Sequence, residues 1–194
     1  MSVSVQSAEL AGVAEELEAV AADARRVFGH LTAAQLNWKP TEAEWSVGQC
    51  FEHLIRTNEK FLPVLGRVAR GERKGSAWER VSPLSGFFGR LMIRSLRPDS
   101  GRKFKAPAGI APAASDVDAQ VIARFGEHQT RLIEAIRAAG VVDMGRVVIT
   151  SPVARFVTYN LLDACRIVAT HERRHLAQAE RVLRRPGFPA AAGA

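Results

Sequence analysis

The 194-residue sequence predicts an all-α fold, a four-helix bundle with a long middle connection that carries a short extra helix. Three observations lead there. Four long stretches repeat their apolar residues at the period of a helix, and none shows the apolar–polar alternation of a half-buried strand. The stretch from Glu72 to Ser115 breaks into glycine, proline and basic residues and is long enough to cross the end of a bundle.

The elements follow in order. Between Ala8 and Phe28 the residues Leu10, Val13, Leu17, Val20, Ala24 and Val27 share one seam, a first amphipathic helix that stops near Gly29. Thr32 and Gln35 have capping-box spacing for a short helical turn, closed by Pro40. Ser46 and Gln49 repeat that spacing behind Trp45 and start a second long helix with the seam Val47, Phe51, Leu54, Asn58, Phe61 and Leu65. Pro63 lacks a backbone donor, so this helix kinks or ends about one turn earlier and can resume as far as Gly71. Leu84 to Leu96 predicts a short helix outside the main bundle. Ser115 or Asp116 caps a third long helix to Ala139, with Val121, Phe125, His128, Leu132 and Ala135 in line and Gly140 as its stop. Val141 to Thr150 reads as a strand-like strap without a sheet. Ser151 and Pro152 form a cap and first-turn proline, so the last helix is expected from there to about Arg184. One domain spanning 1–194 is expected, its core about 8–185 and its tail 186–194 frayed.

Net charge is +7, densest from Arg90 to Lys105, where Arg90, Arg94, Arg97, Arg102, Lys103 and Lys105 meet only Asp99. Phe104 is the one aromatic among them, so a solvated basic surface or a rim that draws anionic small molecules is expected rather than a nucleic-acid site. Cys50 and Cys165 lie far apart in apolar helical patterns, as core thiols of a reduced, cytoplasmic protein do. No apolar run is long enough to span a membrane and the N-terminus lacks a signal-peptide pattern, so no membrane partner is expected.

The chemistry concentrates in the last helix. His171 and His175 are four residues apart, hence one above the other on one face, and that face is the stripe Leu161, Ala164, Val168, Gln178 and Val182. Two imidazoles in adjacent buried turns need partners, and a divalent metal held by both is an efficient one. HERRH matches the H-E-x-x-H signature of zinc proteases, but the only acid downstream is Glu180, which faces away from the pair. A third ligand has to come from upstream. His53, flanking the buried seam of the second helix, is favoured over His30 in a turn and His128 among core residues, with Cys50 as a less suitable soft donor. Glu172, about 100° around the helix from His171, is expected toward the bundle surface.

The tracts NWKP, WSVGQCFEHL and YNLLDACRIVATHERRHLAQAERV resemble the DinB-like superfamily, in order and over nearly the whole chain. The resemblance implies a four-helix bundle in which His53, His171 and His175 bind a divalent metal. It also implies kinship with metal-dependent transferases and isomerases that use low-molecular-weight thiols such as bacillithiol or mycothiol.

The function expected is therefore a metal-dependent S-transferase joining such a thiol to small electrophiles. A metal-dependent hydrolase and a non-enzymatic, metal-stabilised binding module are the alternatives. Zinc or nickel is the expected metal. Gln178, with Arg90 and Arg94, is expected to contact a bound thiol cofactor or substrate. The partners expected are a small-molecule substrate and, as an open option, a second copy of the chain in a homodimer.

Overall fold

A computed structural model of the chain describes residues 3–82, 84–100, 106–107, 109–112, 116–154 and 156–190. The helices are α1 (Val3–Phe28), α2 (Ala33–Asn37), α3 (Val47–Glu59), α4 (Leu62–Ala69), α5 (Ala77–Val81), α6 (Ser85–Leu96), α7 (Val121–Ala139) and α8 (Leu161–Leu183). Two short strands, β1 (Val148–Thr150) and β2 (Thr158–Asn160), lie between α7 and α8. The fold is all-α apart from that ribbon. Each of α1 and α3 packs against both α7 and α8, and α4 continues the line of α3 against α7.

The local signals that start α2 and α3 act as their chemistry dictates. Thr32 and Ser46 each accept from the backbone of the residue three ahead, Gln35 and Gln49, whose side chains bond back to the cap. Pro63 sits in the first turn of α4, where its missing donor costs nothing, and the chain bends between Glu59 and Leu62. The core divides along the helices. One end is built on Leu17, Leu65, Leu132, Ile136 and Val168. The other is built on Phe28, Phe51 and Phe125, whose rings meet edge to face at centroid distances of 5.2 and 5.1 Å. Cys50 and Cys165 are free thiols inside these cores, each pushed up to about 12 by burial.

Several expectations need correcting. The strap after α7 does form a sheet: β1 and β2 pair antiparallel, Ile149 opposite Tyr159. Ser151 caps a local turn rather than a helix, its Oγ accepting from the backbone of Val153 and Ala154. The last helix consequently begins nine residues later, at Leu161, with Asn160 in place of Ser151 as its cap. α7 starts at Val121, because Asp116 adopts a positive φ of 57° and Asp118 Oδ1 accepts from the Gln120 backbone in a turn. α1 begins at Val3, five residues before Ala8.

The middle connection differs most. α6 is not outside the helical assembly but lies along α8 and against β2. It runs in the same direction as α8, since Gly89 abuts Asp163 while Arg97 O and Ser100 Oγ accept from Arg174 further on. Ahead of it, α5 was unforeseen although Ser76 and Glu79 form a capping box. Glu79 also accepts from the Thr150 backbone and pairs with Arg73, whose guanidinium reaches Val148 O, so α5 is fastened to the ribbon. Part of the tail is docked as well: Phe188 packs edge-on to Trp38 at 5.5 Å and Gln35 Nε2 donates to Pro189 O. Ser115, the basic residues Arg102, Lys103 and Lys105, and Ala191–Ala194 fall outside the described residues.

Candidate metal centre

His53, His171 and His175 meet. Among the described residues they form the one group of metal-ligating side chains, their donor atoms all within 4.8 Å of one another. His53 comes from α3, about two turns past its Ser46 cap, and the other two from α8. The α8 residues reach inward because Leu161, Ala164, Val168 and Val182 on the same stripe are buried.

The nitrogens are disposed as one ion requires. His171 Nε2 lies 3.2 Å from His53 Nε2 and 3.0 Å from His175 Nε2. Two nitrogens bonded to one ion at about 2.1 Å stand about 3.0–3.4 Å apart when the angle between them runs from right-angled to tetrahedral. The tautomer of His53 is set from behind, since its Nδ1–H donates to the Ile110 carbonyl at 2.7 Å and leaves the Nε2 lone pair facing the other rings. A neutral ring nitrogen carries either a proton or a lone pair, so His171 Nε2 cannot donate to one neighbour and accept from the other, whereas a cation is satisfied by all three lone pairs at once.

All three rings are held neutral. Burial lowers His53 against the opposing pull of the Ile110 bond. His171 is brought down to about 3, first by burial and then by the charges of His53 and Arg174. His175 is driven well below the ordinary imidazole range by burial, then by His171, His53 and Arg174, with Gln178 acting the other way. Neutral imidazole is the form that ligates.

Two contributors escaped the sequence reading. Trp45 is stacked on His175 at 5.5 Å and 18° and tilted against His53 at 4.9 Å and 57°, so one indole backs rings from two helices. Its place beside the Ser46 cap was visible, but not which rings it would meet. Arg174, which donates to Arg97 O at 3.3 Å and Ser100 Oγ at 3.0 Å, has its positive charge near enough to depress both His171 and His175.

Other residues go elsewhere. Glu172 does not face the surface: it is completely buried, with Oε1 accepting from Asn58 Nδ2 at 2.7 Å and Gln129 Nε2 at 2.8 Å. Burial raises its carboxyl to about 8, more than the two amide bonds lower it. Its Oε2, with Asn58 Oδ1 and Gln129 Oε1, has no partner among the described residues. No carboxylate joins the three histidines among the described residues. His128 is buried in the α7 core and brought down to about 4 by burial and Arg131, and His30 is exposed. Gln178 is half-buried beside His175. Arg90 lines a surface cleft with Glu9, Asp163 and Arg166 at the start of α8, and Arg94 is exposed one turn along α6.

An all-α protein in which three histidines from two helices converge carries the donor set of a candidate metal site. The family model of the DinB superfamily matches residues 16–179, and the chain belongs to that superfamily. No curated protein and no solved structure matches the chain at a significant level.

Proposed function

We propose that the chain binds a divalent metal, zinc or nickel, through His53, His171 and His175, and acts as an S-transferase joining a low-molecular-weight thiol to small electrophiles. The observation that carries the metal assignment is the convergence of three neutral Nε2 atoms, two of them within 3.2 Å of the third. Membership of the DinB superfamily supports the same reading.

When bound, a divalent metal favours the thiolate form of a thiol, the reactive nucleophile, which is a few per cent of a free thiol at neutral pH. The chain's own residues supply the setting. Trp45 and the Ile110 carbonyl orient the rings, Arg174 offers a positive charge to an anionic thiol or substrate, and Gln178 offers an amide near His175. Arg174, next to the rings, is better placed for this than Arg90, whose cleft opens near Asp163, about 12 Å back along α8 from His171. A cytoplasmic, reducing setting accords with the two free core thiols.

The hydrolytic alternative loses its obvious base, because Glu172 is engaged by Asn58 of α3 and Gln129 of α7 and does not join the three histidines. The test is metal analysis of the purified protein followed by turnover of a generic electrophile with a panel of small thiols. Thiol-dependent, chelator-sensitive product is expected. Thiol-independent hydrolysis would replace the transferase reading, and a retained metal with no turnover would leave a metal-stabilised binding module.

A further inference from the structure

Most of the large apolar side chains left in solvent lie on pieces of the chain that touch one another. Of the eight among the described residues, Trp78, Val81, Leu84, Phe87, Leu91 and Phe156 belong to the α5–α6 segment and the loop of the ribbon. These pieces are joined: α5 packs on β1, α6 on β2, and Ser82 shares a hydrogen bond with Thr158. Within α6 the two sides are both apolar. Met92, Ile93 and Leu96 pack on the core, whereas Phe87 and Leu91, four apart, and Leu84 at the cap three residues before Phe87 are exposed to water. Single exposed apolar residues are ordinary, but an apolar outer stripe on a helix whose inner side is already satisfied marks an interaction surface.

The exposed charges of the α5–α6 segment have one sign. From Lys74 to Arg97 the exposed ionisable side chains are Lys74, Arg80, Arg90, Arg94 and Arg97, all cations. The only acid in that stretch, Glu79, is taken by Arg73 and by the backbone of Ser76 and Thr150. We propose that the α5–α6 face docks peripherally on an anionic lipid bilayer, its aromatic and aliphatic side chains at headgroup depth and its cations on lipid phosphates. A second copy across a two-fold axis would bring the same five cations together. Nucleic acid would neutralise them but leave the apolar stripe in water. The association is interfacial: no helix among the described residues is long and apolar enough to cross a membrane. It departs from the sequence-based expectation of no membrane partner, and it is independent of the metal assignment.

The test is co-sedimentation of the full chain with vesicles of phosphatidylcholine alone and of phosphatidylcholine mixed with phosphatidylglycerol. Sedimentation with the anionic vesicles only is expected, weakening as salt rises from about 0.05 to about 0.5 M. The double variant Phe87→Ser, Leu91→Ser and the charge reversal Lys74→Glu, Arg80→Glu should each reduce partitioning by about tenfold or more. Circular dichroism and metal content equal to the parent's show that both variants fold, since all four side chains are exposed. No binding to anionic vesicles, equal binding to neutral ones, or unchanged binding by the Phe87, Leu91 variant would overturn the proposal. So would a dimer by light scattering that dissociates in that variant, which would give the face to a second copy.

Discussion

The indole of Trp45 lies over the imidazole of His175, ring centroids 5.5 Å apart and planes 18° apart, and the same indole tilts against His53. Trp45 stands just outside the first turn of α3, fixed there by the Ser46–Gln49 capping box, so a helix start also braces two candidate ligands. Side chains that orient ligand rings commonly contribute 10- to 100-fold in metal affinity. Trp45→Ala is expected to weaken metal binding by about tenfold and Trp45→Phe by much less. Competition with a fluorescent chelator measures both, and unchanged affinity in the alanine variant would deny the indole this role.

His171 is the central donor, within 3.2 Å of both other Nε2 atoms. His171→Ala should leave a two-histidine remnant and lose the metal through gel filtration. His128→Gln, altered at the buried histidine outside the group, should retain it. Elemental analysis of the two variants side by side decides, and equal metal in both would move the site away from His171.

Glu172 is expected to act in stability rather than chemistry. Glu172→Gln keeps a neutral group between Asn58 and Gln129 and should leave metal content and turnover within a few-fold of the parent. Glu172→Ala, which strands both amides and opens a cavity, should cost about 2–3 kcal/mol. The pH dependence has a definite sign. The folded carboxyl titrates near 8, above its ordinary value of 4.5, so the folded state binds the proton more tightly. Its contribution is complete below the unfolded pKa and is lost as pH rises through the folded one. Between pH 6.5 and 8, above the ordinary imidazole range, stability should fall by up to about 1.4 kcal/mol per pH unit. Denaturant midpoints across that window should show this slope in the parent and not in Glu172→Gln. A parallel decline in both would place its origin elsewhere.

Gly89 sits where α6 lies close against α8. A Cβ there would stand 2.4 Å from Asp163 Oδ2 and 2.9 Å from Asp163 Cβ. Asp163 cannot readily swing aside, being bonded to Asn160 and Arg166. Gly89→Ala should therefore lift α6 from α8, cost about 1–3 kcal/mol and open the α5–α6 segment to limited proteolysis. Cleavage and melting indistinguishable from the parent would show that α6 adjusts freely.

The sequence alone determined what local physics determines. Apolar periodicity located the long helices, capping boxes set the starts of α2 and α3, and the four-residue spacing put His171 and His175 on one inward face, where His53 of α3 meets them. Tertiary structure decided the rest, for physical reasons that can be named. Ser151 and Pro152 carry a true capping signal, but pairing of Ile149 with Tyr159 across the intervening turn competes with it and delays α8. Glu172 was misplaced because a wheel with one inward line suits a helix packed on one side, whereas α8 is flanked by α1, α3 and α6 and buries several directions at once. The Ile110 carbonyl behind His53 and the indole over His175 belong to segments whose meeting with those rings is a long-range event. No periodicity or cap encodes such a contact, because it exists only after separate helices have closed around a shared core.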